Sequence, residues 1–253
     1  MIVILRKADR LTNLIFSPVG IPIEFHPAYD KENHWRFTKP TRNYEVAVYS
    51  YKGFKPEPTT YDYIGEGEGF KWQITKQFLD NFDCSKYEYV GFWDDDLICD
   101  IQSVNRALEI AKQHDIKLFQ LSTIAGSDST HTILHQRKEL KYSLANVLEG
   151  MGPFVHSSLI PTLRKFWDYH EVKSGWGFDL TMPAFLKTHA GIIHEVSMYH
   201  PKKPSYYDKD AAFSEMYHIY NTVYPKFMKD TYNEDCEPWN EPHIEHEMTL
   251  KGF

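Results

Sequence analysis

The fold class that the sequence predicts is α/β, with a mainly parallel central sheet and helices on both faces. Short apolar runs typical of buried strands alternate with segments of helical periodicity, and the strands are expected at 13–20, 44–50, 89–93, 117–122 and 191–199. Strands that alternate with helices favour parallel pairing, because each helix crosses back over the sheet. The chain of 253 residues is long enough for one such domain. We expect this domain to span residues 1–230, followed by an acidic C-terminal tail at 231–253.

Helical periodicity marks the segments between the predicted strands. Apolar residues share one face from Lys71 to about Phe82. Asp100 is placed to begin the next helix, because its carboxylate can accept hydrogen bonds from the free N–H groups of the first turn. Further helices are expected at about 157–170, from 175 onward and at 210–224.

Three segments lack a clear period. Residues 21–42 contain three prolines and are expected to be mostly loop. Gly65–Gly69 alternates glycine with glutamate, whose charge would repel phosphate, so we interpret it as a hinge or linker rather than a phosphate-binding loop. Residues 123–147 are polar, and their pattern favours neither helix nor strand.

Composition narrows the classes of function. The net charge is −7 and the chain has no block of Lys or Arg, which disfavours nonspecific nucleic-acid binding, since that depends on neutralising phosphates. A local basic groove stays open. The three cysteines are scattered, which favours a reducing compartment. No apolar run approaches the length of a membrane span, so we expect a soluble, cytoplasmic protein with no membrane span.

Asp94, Asp95 and Asp96 form the most informative motif. They follow a predicted strand directly, at the end where α/β sheets bind their ligands. Three adjacent carboxylates repel one another, and Mn²⁺ or Mg²⁺ carrying a diphosphate would relieve that repulsion. The sequence alone leaves a second interpretation open, which is a solvated acidic turn beside a helix N-terminus.

Two later elements carry candidate functional residues. His200 follows a predicted strand and offers a third metal ligand, and Lys203 offers a point charge for a diphosphate. In 175–179, glycines flank Trp176 and allow a tight turn. Asp179 ends that turn and is placed to act as a general base on a sugar hydroxyl. A core tryptophan and a helix-capping aspartate would give the same pattern.

Taken in order, these stretches resemble nucleotide-diphospho-sugar transferases of the GT-A type. More closely, they resemble a plant-rich, uncharacterised glycosyltransferase-like family named only as a domain of unknown function. The resemblance spans about residues 13–204 and is carried by 13–20, 70–79, 89–97, 148–154, 175–179 and the strand that ends at His200. It implies a GT-A-like Rossmann-type domain.

The resemblance also implies roles for individual residues. Asp94 and Asp96 match the DxD pair that binds metal and donor nucleotide, and His200 matches the late metal-ligand histidine. Asp179 matches the catalytic base of many inverting members, whereas Lys203-Pro204 matches a pair found in some retaining enzymes. The donor is expected to contact Pro18, Val19, Lys71, Asp94, Asp95 and Lys203. The acceptor is expected to contact Gly152, Trp176 and Gly177.

The predicted activity is transfer of a sugar from a nucleotide-sugar donor, most simply a UDP-sugar, to a hydroxyl acceptor, with Mn²⁺ or Mg²⁺ as cofactor. The acceptor is expected to be a glycan or polysaccharide precursor, a small molecule, or a hydroxymethylated base in viral DNA. Two alternatives stay open: a metal-dependent nucleotidyl- or phosphotransferase, and a non-catalytic carbohydrate-binding domain. One departure from the family is the irregular segment 21–42, which replaces the usual helix between the first two strands.

Overall fold

The computed structural model describes residues 3–4, 12–203, 208–237 and 242–250. Its strands are β1 (Val3–Ile4), β2 (Asn13–Val19), β3 (Tyr44–Ser50), β4 (Tyr63–Glu66), β5 (Tyr89–Phe92), β6 (Leu118–Thr123), β7 (Leu140–Ala145), β8 (Phe154–His156), β9 (Ala190–Met198) and β10 (Ile244–Thr249). Its helices are α1 (Lys71–Asn81), α2 (Ile101–Gln113), α3 (Ile160–Trp167), α4 (Phe178–Phe185), α5 (Lys209–His218) and α6 (Tyr224–Tyr232). A π-helical segment, Ile219–Val223, joins α5 to α6.

All the described strands belong to one mixed sheet, in the order β1-β4-β3-β2-β5-β8-β6-β9-β7-β10. Four of the described pairings are parallel: β2 with β3 and with β5, β3 with β4, and β6 with β9. The other five are antiparallel. The prediction of a mainly parallel sheet is therefore wrong, although the α/β class is confirmed.

The antiparallel half of the sheet comes from segments with weak sequence signals. Strand β8 has only three residues, yet it inserts antiparallel between β5 and β6. Strand β7 lies in the polar segment 123–147 and pairs with β9 on one side and β10 on the other. Because β10 lies within 231–253, part of the predicted tail forms an edge strand of the sheet. The boundary at residue 230 stays a prediction.

The interpretation of Gly65–Gly69 as a hinge is wrong for its first two residues, which end strand β4. A Cβ on Gly65 would lie 2.4 Å from Cε1 of Tyr49 on the neighbouring strand. Glycine is therefore needed at this position because the Tyr49 ring covers it.

The two largest clusters of buried side chains lie on opposite faces of the sheet. Alternate residues of β5 point to opposite faces: Tyr89 joins one cluster, whereas Val90 and Phe92 join the other. Helices α1, α3, α4 and α6 pack on the Val90 face, and α2 packs on the Tyr89 face. Helices on both faces are therefore confirmed.

The loop predicted at 21–42 is confirmed, with one short 3₁₀ turn at Lys31–Asn33. It packs on the same face as α2 through Trp35, which is fully buried. The indole Nε1 of Trp35 donates to the carbonyl of Leu97 at 2.7 Å, and the ring contacts Trp93 edge-on at 5.0 Å. Aromatic packing therefore replaces the helix that the family resemblance implied here.

Two helix starts that the sequence predicts are confirmed. Helix α1 begins at Lys71. Helix α2 follows Asp100, whose carboxylate accepts from the backbone N–H of Ser103 at 2.8 Å. Parallel strands β2 and β5 end at the same edge of the sheet, and the chain segments that follow them form the site described below.

Candidate active site

The acidic turn after β5 lies beside the segment that leaves β9. Ligand atoms of Asp94, Asp96 and His200 all lie within 4.8 Å of one another. Backbone hydrogen bonds in both directions join Ile98 to Tyr199, at 2.8 and 2.9 Å, so the two segments are held side by side. The structure thus brings together the three residues that the sequence proposed as metal ligands, although His200 is more than 100 residues from Asp94 and Asp96 along the chain.

His200 is oriented by a backbone carbonyl. Its Nδ1 lies 2.9 Å from the carbonyl oxygen of Asp128, which can only accept, so Nδ1 carries a hydrogen. Nε2 then faces Asp96, with 3.4 Å between Nε2 and Oδ1. Burial lowers the pKa of His200, but contact with the Asp96 carboxylate outweighs it and raises the pKa to about 9. The imidazole is therefore presented to the acidic turn through Nε2.

Two lysines balance the charge of the acidic turn. Nζ of Lys71 lies 2.7 Å from Oδ1 of Asp94 and also donates to the carbonyls of Gly150 and Met151. Nζ of Lys203 lies 3.4 Å from Oδ2 of Asp96. Burial lowers the pKa of Lys71. Both lysines predicted to contact the donor therefore lie at the turn.

The three clustered side chains fit a divalent cation. Oδ1 of Asp96 is buried and makes no hydrogen bond, which leaves an oxygen ready to act as a ligand. Its separation of 3.4 Å from Nε2 of His200 is about 0.4 Å longer than the spacing of about 3.0 Å between neighbouring ligands of an octahedral ion with bonds of about 2.1 Å, so a small movement of either side chain would let both bind one ion. The two carboxylates suit both Mn²⁺ and Mg²⁺.

Asp95 points away from this cluster. Its Oδ2 accepts from the backbone N–H groups of Gly20 and Ile21 at 2.6 and 3.1 Å. Burial raises its pKa to about 6. The carboxylate thereby fixes the chain just after Pro18 and Val19, which are buried at the end of β2. Pro18, Val19 and Asp95, which are predicted to contact the donor, therefore lie together at one edge of the sheet. The carboxylate of Asp95, however, already accepts hydrogen bonds from the backbone.

Arg36 is a residue that sequence reasoning missed. It is fully buried. Its Nη1 donates to the carbonyl of Asp95 at 3.0 Å, and its Nε and Nη2 donate to the Tyr61 hydroxyl. Arg36 thus fixes the backbone of the acidic turn at Asp95. A lone arginine in an irregular segment gave no sequence signal for this role.

Asp179 lies in the first turn of α4 and is half-buried. Its Oδ2 accepts from the backbone N–H of Gly150 at 2.9 Å, and its Oδ1 accepts from that of Leu180 at 2.9 Å. Burial raises the pKa of Asp179 to about 7, against the opposing effect of these hydrogen bonds. A carboxylate that titrates near neutral pH is suited to general-base catalysis.

Gly150 connects Asp179 to the acidic turn. Its N–H binds Asp179, and its carbonyl accepts from Lys71, whose ammonium group contacts Asp94. Glu149, which sequence reasoning also missed, is buried beside it and accepts from the backbone of Thr130 and His131. One short segment therefore contacts both halves of the site.

Packing explains the glycines around Trp176. A Cβ on Gly175 would lie 2.3 Å from Nε1 of Trp72, and a Cβ on Gly177 would lie 3.0 Å from Cα of Met216. Both residues have positive φ, at 86° and 84°. Gly152 is also buried, and a Cβ there would lie 2.9 Å from Leu97. The acceptor contacts predicted for Gly152 and Gly177 stay predictions.

Gly175→Ala should lower the stability of the fold by about 2–4 kcal/mol, because strained φ and steric overlap with Trp72 add together. Thermal denaturation measures this loss. Gly53→Ala is the matched control: φ is 73° there, but no atom lies within 4 Å of the added Cβ. We expect about 1 kcal/mol for the control. Equal losses for both variants would contradict the close contact with Trp72.

A protein-family model described as "Protein of unknown function (DUF707)" matches residues 31–150, which is less than half of the chain. That region contains the acidic triplet and ends at Gly150. No curated protein matches the sequence.

Two solved structures of TarS from S. aureus are similar to this chain. TarS residues 1–349 in complex with UDP-GlcNAc share 14% identity with a TM-score of 0.56, covering 89% of this chain and 68% of that one. The same TarS residues in complex with UDP share 14% identity with a TM-score of 0.51, covering 88% and 72%. The fold of this chain is therefore similar to that of TarS. At this identity the likeness concerns the fold alone.

None of the helices in the described part of the chain combines the length and the apolar character that a membrane span requires.

Proposed function

We propose that this protein is a metal-dependent glycosyltransferase that transfers a sugar from a UDP-sugar to a hydroxyl acceptor. The observation that carries the proposal is one continuous set of contacts: Asp96 lies beside His200, and Asp94 is linked through Lys71 and Gly150 to Asp179. Three candidate ligands for a cation and a carboxylate whose pKa is raised to about 7 therefore lie close together. The similarity of the fold to that of TarS supports this assignment, and the UDP and UDP-GlcNAc complexes of TarS favour a UDP-sugar as donor.

The donor half of the site is the acidic turn with its two lysines. Asp94, Asp96 and His200 would hold Mn²⁺ or Mg²⁺, and the bound ion would neutralise charge on the departing diphosphate. Lys71 and Lys203 would add positive charge to the same group. Pro18, Val19 and Asp95 would line the end of β2 beside the nucleotide.

In the acceptor half, Asp179 would act as the general base. The acceptor hydroxyl oxygen forms a bond to the anomeric carbon while the bond from that carbon to the diphosphate oxygen breaks, and its electron pair leaves with the diphosphate. The hydroxyl proton passes to the Asp179 carboxylate. Attack from the face opposite the leaving group inverts the anomeric centre. Trp176 would stack on the acceptor, near Gly152 and Gly177.

Activity should rise with pH to a plateau above about pH 7. Base catalysis needs the ionised carboxylate, and the pKa of Asp179 is raised to about 7. Below that value kcat/KM should fall about tenfold per pH unit. Steady-state rates between pH 5 and 9 measure this profile, and a flat profile across pH 6–8 would contradict the role of Asp179.

Thermal-shift screening tests the donor assignment. A ligand that binds only the folded protein raises its melting temperature by mass action. We expect UDP and UDP-sugars to stabilise the protein in the presence of Mn²⁺ and much less in its absence, whereas ATP and CTP should give smaller shifts. No shift with any nucleoside diphosphate would refute the donor site. Nucleoside-triphosphate turnover instead would favour a nucleotidyl- or phosphotransferase.

Kinship with the plant-rich family of unknown function and a cytoplasmic location stay predictions.

A further inference from the structure

Helix α5 carries two large aromatic side chains that are exposed to solvent. Phe213 is 45% exposed and Tyr217 is 59% exposed. They are four residues apart, so they lie on the same face of the helix, about 6 Å apart along its axis. The Phe213 ring contacts Trp176 edge-on, with ring centroids 4.9 Å apart. We call Trp176, Phe213 and Tyr217 the aromatic row.

The opposite side of α5 is fixed to the turn that holds Trp176. One carboxylate, that of Glu215, accepts from the backbone N–H groups of Lys173 and Ser174 at 2.7 Å each. Burial raises the pKa of Glu215, but its hydrogen bonds, including one from His170, outweigh that effect and lower the pKa to about 2. The anchor therefore stays ionised at neutral pH, and the aromatic row is held rigidly against the turn.

The aromatic row is continuous with the proposed catalytic base. Trp176 precedes Asp179 by three residues in the same turn. A Cβ on Gly177, which lies between Trp176 and Asp179, would lie 3.0 Å from Cα of Met216, so α5 passes directly against this turn. A ligand stacked on the row would therefore extend towards the Asp179 carboxyl group.

We propose that the aromatic row is an acceptor subsite for a neutral oligosaccharide, with a hydroxyl of its terminal sugar directed to Asp179. The inference rests on the proposed glycosyl transfer and specifies the class of its acceptor. Sugar rings present C–H groups to the electron-rich faces of aromatic rings. A row of rings spaced along a helix suits a chain of such sugars better than a single small acceptor.

The charges on α5 favour a neutral acceptor over a nucleic acid. Among its described residues the charged side chains are Lys209, Asp210 and Glu215, which sum to one negative charge. Binding of DNA phosphates depends on clustered cations. A phosphate backbone placed along the aromatic row would meet a single lysine on this helix, Lys209, and no cluster of cations.

The test compares Phe213→Ala and Tyr217→Ala with Leu250→Ala, which also removes an exposed apolar side chain but lies beyond β10. The probes are cellohexaose, maltohexaose and chitohexaose, with UDP-glucose and UDP-GlcNAc as donors and Mn²⁺ present. We expect transfer to at least one hexaose. Each row variant should raise KM for that hexaose at least tenfold with little change in kcat, and Leu250→Ala should match the wild type.

Donor binding separates failure of this inference from failure of the proposed function. The stabilisation by UDP and Mn²⁺ should be the same in all three variants and in the wild type, and its absence in the wild type would refute the glycosyltransferase itself. If it is present, three results overturn the acceptor subsite alone. The first is that the wild type transfers sugar to none of the hexaoses. The second is that Phe213→Ala and Tyr217→Ala leave the KM for the hexaose unchanged. The third is that the wild type is a dimer on size-exclusion chromatography and Phe213→Ala dissociates it.

Discussion

Replacing Asp179 with asparagine should lower the rate of sugar transfer by about 10²–10⁴-fold, the usual contribution of a positioned general base. The amide keeps the size of the side chain and can still accept the hydrogen bond that Gly150 donates to Oδ2. It cannot take the proton of an acceptor hydroxyl. Donor binding should persist, because Asp94, Asp96, His200 and Lys71 are unaltered, so the melting-temperature shift with UDP and Mn²⁺ should match that of the wild type.

Stability provides a control for this variant. The folded protein raises the pKa of Asp179 from 3.8 to about 7, so the protonated carboxyl stabilises the fold at low pH, and that stabilisation is lost as pH rises through about 7. Asparagine cannot ionise and should weaken this pH dependence of the melting temperature. Asp168→Asn, at an exposed carboxylate, should leave both activity and stability unchanged. Unaltered turnover in Asp179→Asn would remove the base from the mechanism and favour a retaining reaction.

The donor half of the candidate site was largely predictable from the sequence. Asp94 and Asp96 stand directly after an apolar run, and the end of a parallel strand is where side chains meet ligands. The position of His200 after β9 completes the cluster. These residues were predictable because a strand end followed by an acidic turn is recognisable from a few consecutive residues.

The parts that could not be predicted depend on distant contacts. No pattern in the sequence near Arg36 indicates that its side chain donates to the acidic turn. Likewise, no pattern near Glu149 indicates that its carboxylate binds the backbone of the loop beside His200. Strand β7 was missed because a polar strand carries little periodicity, and the antiparallel pairing of β7 and β8 is decided by neighbours in the sheet. The partners of Asp95 were equally unpredictable: its carboxylate accepts from the backbone of Gly20 and Ile21, more than 70 residues away, and its contact with the donor stays a prediction.

The divalent cation is tested most directly at Asp96. Asp96→Asn keeps the shape of the side chain but replaces a charged oxygen ligand, so the affinity for UDP in the presence of Mn²⁺ should fall by at least about 100-fold, more than removal of an outer-shell partner causes. Isothermal titration with UDP, with and without Mn²⁺, measures this loss. UDP binding without the metal should change little or strengthen, because the variant removes a negative charge from the turn.

His200→Ala completes the argument for the cation. If Asp96 and His200 bind the same ion, the double variant should lose little more Mn²⁺-dependent affinity than either single variant, because groups that act together are non-additive. If they act separately, through the Asp96–Lys203 and His200–Asp128 contacts, the two losses should add. Additive losses, or single variants that bind UDP and Mn²⁺ as the wild type does, would contradict a shared metal site and leave the lysines as the groups that neutralise the diphosphate.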